Sequence, residues 1–217
     1  MKSPGGCPMK KRRFIVLILV IISFPFLSFA SGDSIHQAYQ QSYDEEAKGN
    51  YTEAILVLMR VERLEEKSYL FHLRLGWLNY LGKKFPDSAN AYQKAIRLNK
   101  DSVEARLGLM LPLMAQGRWT EAEKVGKEII ILDRASYLAN SRLAYIYYNM
   151  KWFKEAETHY RKVLQSYPGD IEMQSGLAWS LLKQEKREEA EKVFSEILKY
   201  VPNHVTANVG MKMIKGK

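Results

Sequence analysis

Residues 137–170 read YLANSRLAYIYYNMKWFKEAETHYRKVLQSYPGD, and this stretch predicts two short amphipathic helices. Leu143, Ala144 and Tyr147 fall on one face of a helix with 3.6 residues per turn. After a short break, apolar residues recur at helical spacing until Pro168, which ends the second helix because proline has no amide hydrogen to donate. Two helices of this length cannot bury both apolar faces against each other alone. We therefore expect further copies that stack on them.

The same pattern recurs every 34 residues, so each position of the repeat can be followed along the chain. The seventh position is leucine in four repeats, and the seventeenth is aromatic in four of the five. The twentieth position, where two helices are expected to touch closely, holds only small residues: Ala54, Ser88, Ala122, Ala156 and Ala190. Small side chains at this spacing predict tight packing of the two helices in each repeat.

At these residues the chain resembles the tetratricopeptide repeat (TPR) family, whose period is 34 residues. The resemblance covers Ile35 to His204 without a gap. It implies an all-α fold, a right-handed superhelical solenoid of about five helix-turn-helix repeats plus a short C-terminal capping helix. The expected repeats are residues 35–68, 69–102, 103–136, 137–170 and 171–204, followed by a partial capping helix over 205–215.

The first thirty residues have the pattern of an export signal. A basic cluster, Lys10–Arg13, precedes an apolar run from Phe14, and Ser28-Phe29-Ala30 provides a small-x-small cleavage site. We expect a signal peptide over residues 1–30, or an N-terminal membrane anchor over 14–30 if the segment is retained. The mature domain, residues 31–217, would then be exported across the cytoplasmic membrane to the periplasm or secreted, or anchored to that membrane.

The polar residues that follow the apolar run predict where the helical domain begins. Asp33 or Ser34 is expected to cap the first helix. In the first repeat, Gln41 and Ser42 occupy the seventh and eighth positions, where later repeats carry leucine and a small or unbranched apolar residue. Polar residues here predict exposure to solvent at the end of the solenoid.

Charge gives little support for nucleic-acid binding. The chain carries 33 basic and 24 acidic residues, but the first thirty residues hold five of the basic and none of the acidic ones. The remainder has 28 basic and 24 acidic residues, a net charge of +4. The basic character therefore belongs largely to the targeting segment, and we expect no nucleic-acid partner.

The residues of the repeats do not form a catalytic or metal-binding pattern. Cys7 is the only cysteine and precedes the predicted cleavage site. The four histidines lack the spacing of metal ligands; His72 is expected in the core and His159 on a solvent-facing helix surface. We therefore expect no enzyme activity, no cofactor and no metal.

Surface recognition remains, and the resemblance implies where it takes place. In TPR arrays the first helices line a concave groove, and one known groove type clamps a C-terminal carboxylate with lysine and asparagine at the fifth and ninth positions. Those residue types are absent from these positions here. The ninth position instead holds what we call the ninth-position stripe: Tyr43, Trp77, Leu111, Tyr145 and Trp179. Tyr80 and Tyr148 flank it at the twelfth position. Exposure in the groove and packing between adjacent first helices are both open for these residues, since Trp and Tyr suit interfaces as well as cores.

The function expected from the sequence is that of a non-catalytic scaffold or adaptor. It would bind a partner protein or peptide in an aromatic concave groove, with cell-envelope assembly as the setting by analogy of fold alone. One alternative is a membrane-anchored structural subunit of an oligomeric envelope complex, in which the chain also contacts copies of itself. A glycan- or lipid-binding TPR module is another, because aromatic grooves also suit those ligands.

The export signal gives the first testable prediction. N-terminal sequencing of the protein purified from its native cells is expected to begin at or within a few residues of Ser31, because the small-x-small site ends at Ala30. Intact mass separates the retained anchor from the cleaved signal. A soluble, unprocessed cytoplasmic product would contradict both forms of the prediction.

Overall fold

The computed structural model describes residues 26–216, and within this range every regular element is an α-helix. The twelve helices are α1 (Phe26–Ala47), α2 (Tyr51–Met59), α3 (Glu62–Glu65), α4 (Tyr69–Leu81), α5 (Phe85–Leu98), α6 (Val103–Ala115), α7 (Trp119–Leu132), α8 (Tyr137–Asn149), α9 (Phe153–Ser166), α10 (Ile171–Lys183), α11 (Arg187–Tyr200) and α12 (Val205–Ile214). From α4 onward, a first helix begins every 34 residues.

The helices stack as a solenoid. Each first helix packs against the second helix of its own repeat and against the second helix of the repeat before it, as α8 does with α9 and α7. First helices of successive repeats also touch, from α4 against α6 to α10 against α12. The predicted all-α solenoid with a short capping helix is therefore confirmed.

The ends of the helices repeat as regularly as the helices. The first helices α4, α6, α8, α10 and α12 are capped by Ser68, Ser102, Ser136, Asp170 and His204, whose side chains each accept a backbone N–H three residues on. The turn between the two helices of a repeat contains one residue with positive φ: Gly49, Lys83, Gly117, Lys151 and Glu185. A left-handed residue reverses the chain direction between antiparallel helices, so the period is built into the backbone.

The core consists of the residues that the period predicts. The five small residues of the twentieth position are all fully buried. Leu143, Ala144 and Tyr147 of α8 pack with Ala156 and Tyr160 of α9 in one apolar cluster, which continues through α10 and α11 to the capping helix.

Successive repeats meet through an aromatic ring lying on a glycine. Tyr92, at the twenty-fourth position, covers Gly108, at the sixth position of the next repeat, and a Cβ atom added there would overlap the ring. Tyr160 covers Gly176 in the same way, and Phe194 covers Gly210 of the capping helix. At the two other junctions the twenty-fourth position is Leu58 or Gly126, and the following sixth position is Arg74 or Arg142. At the sixth position, arginine therefore occurs only at junctions where the preceding twenty-fourth position has no aromatic ring.

The start of the first helix differs from the prediction. Helix α1 begins at Phe26 and runs without a break through Ala30 and Asp33, so the expectation of a cap at Asp33 or Ser34 is wrong. Among the residues between Phe26 and Ile35, only Gly32 strongly disfavours a helix, and one glycine costs about 1 kcal/mol relative to alanine. Residues 1–25 of the predicted signal or anchor segment lie outside the described residues. Within 26–216, no helix combines the length and apolarity of a membrane span.

The fully buried twentieth position gives a test of the packing. Ala156→Leu is expected to lower the free energy of unfolding by about 1–3 kcal/mol, because the added isopropyl group has no space between α8 and α9. Urea denaturation measures the change. The same replacement at Ala115, exposed at the end of α6, is the matched control and is expected to change stability by less than about 0.5 kcal/mol. Equal effects at the two positions would contradict the packing described.

Candidate functional site: the concave groove

The first helices of the N-terminal repeats enclose a groove cavity of about 760 Å³. Its walls come from α1, α4 and α6, and Arg142 of α8 reaches its edge. The lining is largely apolar and aromatic, with Tyr43, Leu73, Trp77, Leu107 and Leu111 among its residues. A concave site of this size, with few charged groups, has the character of a ligand-binding cleft.

The residues of the ninth-position stripe differ in their exposure and in whether they line the groove cavity. Tyr43, Trp77 and Leu111 line the groove cavity together, and Tyr43 and Trp77 are 50% and 38% exposed. Tyr145 does not line the cavity but is 50% exposed, and its ring packs edge-to-face on Trp119 with 6.1 Å between the ring centroids. Trp179 is half-buried and packs edge-to-face on Phe194 at 5.7 Å between ring centroids, against the C-terminal core. Three members of the stripe are thus exposed aromatic residues, and the two of them in the N-terminal repeats, Tyr43 and Trp77, line the groove cavity.

The two flanking tyrosines are partly covered. The Tyr80 ring lies between Trp77 and Phe85, with centroid distances of 6.0 and 5.9 Å. Tyr148 packs against Phe153 at 5.4 Å, and burial raises the pKa of its hydroxyl. Neither residue lines the groove cavity.

Arg74 on the groove wall is held by three hydrogen bonds to α1. Its guanidinium donates to Ser42 Oγ at 3.0 and 3.2 Å and to Glu46 Oε2 at 2.8 Å, and it lies 3.3 Å from the centre of the Tyr43 ring. The other oxygen of Glu46 accepts from Trp77 Nε1 at 2.7 Å. This network holds the exposed indole in place. It also corrects one expectation: Ser42 is fully buried beneath the guanidinium, whereas Gln41 is exposed as predicted.

Arg142 is the corresponding residue two repeats later, and its surroundings differ. It donates one hydrogen bond, from Nη1 to the backbone carbonyl of Leu107. Burial lowers the pKa of the guanidinium, because the charged form is partly removed from water. Among the described residues, no carboxylate lies within the 4 Å of an ion pair with it. The sequence reading missed both arginines, although the alternation of Arg and Gly at the sixth position was a visible signal.

The histidines do not form a reactive site. His72 is buried as expected, with Nε2 2.7 Å from the Glu66 carbonyl. The expectation of a solvent-facing His159 is wrong: its ring is stacked on Tyr147 at 5.4 Å, and its Nδ1 lies 3.0 Å from Asn140 Oδ1. Within residues 26–216, no group of three or more His, Cys, Asp or Glu residues could hold a metal ion.

Comparison with known families agrees with this architecture. Two profiles described as tetratricopeptide repeat match residues 80–137 and 151–209, which together are more than half of the chain. The chain belongs to the tetratricopeptide repeat family. No protein of curated function matches its sequence significantly.

Solved TPR structures share the fold at low sequence identity. A TPR protein from Parabacteroides merdae superposes with a TM-score of 0.78 at 18% identity, covering 86% of this chain and 75% of that one. MamA from Desulfovibrio magneticus gives 0.75 at 15% identity, with 81% and 99% covered. YrrB, a TPR protein described as having an unusual peptide-binding site, gives 0.72 at 14% identity, with 84% and 98% covered. At these identities the likeness concerns the fold alone.

The divided stripe predicts unequal costs of truncation. Trp179→Ala is expected to lower the free energy of unfolding by about 3 kcal/mol, because it leaves a cavity beside Phe194. Trp77→Ala is expected to cost about 1 kcal/mol, since much of that ring already faces the groove. Urea denaturation of both variants measures the difference. A Trp77 cost equal to that of Trp179 would show that Trp77 is a core residue.

Burial of His159 predicts a pH dependence of stability. Burial, with smaller contributions from Lys162 and Lys127, lowers the pKa of His159 to about 4 from 6.5. Between these values the unfolded chain binds a proton and the folded chain does not, so acid favours unfolding. The contribution, on the order of 3 kcal/mol before solvent screening reduces it, is fully present above pH 6.5 and is lost as the pH falls towards 4.

Thermal unfolding measured between pH 7 and pH 4 tests this dependence. His159→Gln, which keeps a donor for Asn140 but cannot take up a proton, is expected to flatten the profile in this window. The same replacement at exposed His36 is the matched control. Parallel profiles for the wild-type and His159→Gln proteins would show that the ring is not protected from protonation.

Proposed function

We propose that this protein is a non-catalytic scaffold that holds a segment of a partner protein in the concave groove of its TPR array. The observation that carries the proposal is the groove cavity itself, about 760 Å³ in volume, with Tyr43 and Trp77 exposed along it. Exposed aromatic side chains in a concave apolar surface are the usual anchors of protein–protein interfaces.

The arrangement of the wall supports a binding role for Trp77. Its indole is fixed by the hydrogen bond to Glu46, which Arg74 holds in turn, so little side-chain freedom remains to be lost on binding. A ring that is both exposed and held in position is a good contact for a partner. Peptide binding by a protein of the same fold, YrrB, is consistent with this use of the groove.

The cellular setting is a further part of the proposal. The basic and apolar segments of the first thirty residues support export or anchoring, and an exported scaffold suits cell-envelope assembly. Analogy of fold is the support for that setting. If the segment is retained, the groove would be presented at the surface of the membrane.

A display library of random twelve-residue peptides tests the binding function. Selection on the full chain is expected to yield binders whose affinity falls by about 2 kcal/mol or more in Trp77→Ala, because a central aromatic anchor is removed. Trp152→Ala is the matched control, since Trp152 is 46% exposed but lies outside the groove cavity. Equal losses for the two variants would contradict groove binding. Capture of oligosaccharides or lipid vesicles in place of peptides would show that the groove takes another class of ligand.

A further inference from the structure

Arg142 has a charge that the protein leaves without a partner. Its hydrogen bond to the Leu107 carbonyl uses one of the five guanidinium N–H groups, and no carboxylate of the described residues lies within 4 Å. The side chain is half-buried, and it borders the groove cavity. A cation partly removed from water without a counter-charge lowers stability, so its position calls for a compensating group.

Two tyrosine hydroxyls stand near this guanidinium. Tyr80 and Tyr92 both interact electrostatically with Arg142, and neither hydroxyl forms a hydrogen bond within the described part of the chain. The ring of Tyr92 lines the groove cavity. Arg142 and Tyr92, which both line the groove cavity, therefore bring unused hydrogen-bond donors to an apolar cleft.

The other charged groups of the groove already have partners. Arg74 is paired with Glu46 at 2.8 Å, and Glu104 accepts a hydrogen bond from the Tyr69 hydroxyl at 3.1 Å. The network around Arg74 shows how this protein satisfies a guanidinium at the sixth position: a carboxylate and a hydroxyl supply the acceptors. Arg142 has the same position in its repeat but lacks both acceptors.

We propose that Arg142 binds the side-chain carboxylate of a glutamate or aspartate in the partner segment, with apolar residues on both sides of it. The inference rests on the proposed function and adds the chemistry of the ligand. Arg142 supplies a planar fork for the carboxylate, and the hydroxyl of Tyr92 supplies a further donor. The stripe residues Leu111 and Tyr145 receive the neighbouring apolar side chains.

Charge and geometry favour this ligand over other anions. One unpaired cation matches a monoanion, whereas the second negative charge of a phosphate dianion would have no cation to meet and would be repelled by Glu46 and Glu104, which also line the cavity. Tyr145 lies one helical turn beyond Arg142, and Leu107 and Leu111 lie on the other side, on α6. Apolar surface thus continues on both sides of the guanidinium, which suits a carboxylate within a chain rather than at its end.

Peptides selected on the full chain provide the test. We expect the binders to carry a Glu or Asp between apolar residues, and replacing that Glu with Gln to weaken binding to the wild-type protein by about 30-fold. Arg142→Gln is expected to bind the two peptides within about threefold of each other, because the charge that distinguishes them is gone. Arg134→Gln, which removes an exposed arginine outside the groove cavity, is the matched control and is expected to retain the discrimination.

The outcomes separate this inference from the proposed function. Binders that depend on Trp77 but bind equally with Glu or Gln would overturn the role of Arg142 and leave groove binding intact. Absence of any groove binder would overturn both. If Arg142→Gln does not fold, Glu and Gln peptides compared on the wild-type protein still decide the question. Amidation of the peptide C-terminus is expected to change affinity by less than about threefold. Tighter binding of a phosphoserine peptide would overturn the assignment to a carboxylate.

Discussion

The contact on which the array depends is the one between the twenty-fourth position of a repeat and the sixth position of the next. Where an aromatic ring occupies the first, as Tyr92 and Tyr160 do, the second must be glycine, because even a Cβ atom would overlap the ring. In an interior packed this densely, the neighbouring atoms cannot move far enough to accommodate a larger residue. At these junctions the thickness of a ring sets the distance between successive repeats, and the sixth position cannot vary independently of the twenty-fourth.

The chemistry of the groove follows from the junctions that lack a ring. Leu58 and Gly126 leave space at the next sixth position, and an arginine takes it each time. The two arginines then differ only through their neighbours on the preceding first helix. Arg74 meets Ser42 and Glu46 of α1, whereas Arg142 meets the backbone of α6. The same groove therefore contains two guanidinium groups with different surroundings. Arg74 is hydrogen-bonded to the side chains of α1, and Arg142 has donors left for a ligand.

The sequence predicts the fold well because the fold depends on period. Every small residue of the twentieth position is buried, as the spacing requires. Exposure along the ninth-position stripe was not predictable to the same degree. Trp77 and Trp179 have equivalent positions, but the Trp179 ring packs on Phe194 in the C-terminal core, whereas Trp77 is 38% exposed and lines the groove cavity. The position in the repeat therefore does not by itself determine how exposed the ring is.

The wrong prediction for His159 and the failure to predict Arg74 and Arg142 have the same physical cause. His159 lies on the outer half of its helix by period, but the Tyr147 ring and Asn140 of the neighbouring helix cover it. Arg74 and Arg142 resemble ordinary charged residues until the absence of an aromatic ring at the preceding twenty-fourth position, Leu58 or Gly126, is considered. The repeat period determines which face of a helix a residue lies on. Whether that face is covered depends on the residues of the neighbouring helix. Pairs between repeats become visible only when the helices are placed side by side.

The pairing of ring with glycine also limits how such an array can change length during evolution. Loss of residues 103–136 would bring Tyr92 against Arg142, where the ring and the longer side chain compete for the same space. Loss of residues 103–170 would bring Tyr92 against Gly176, a compatible junction. Repeats in this chain are alike in backbone but not interchangeable, and this stretch of the array is therefore inherited more easily in pairs than singly.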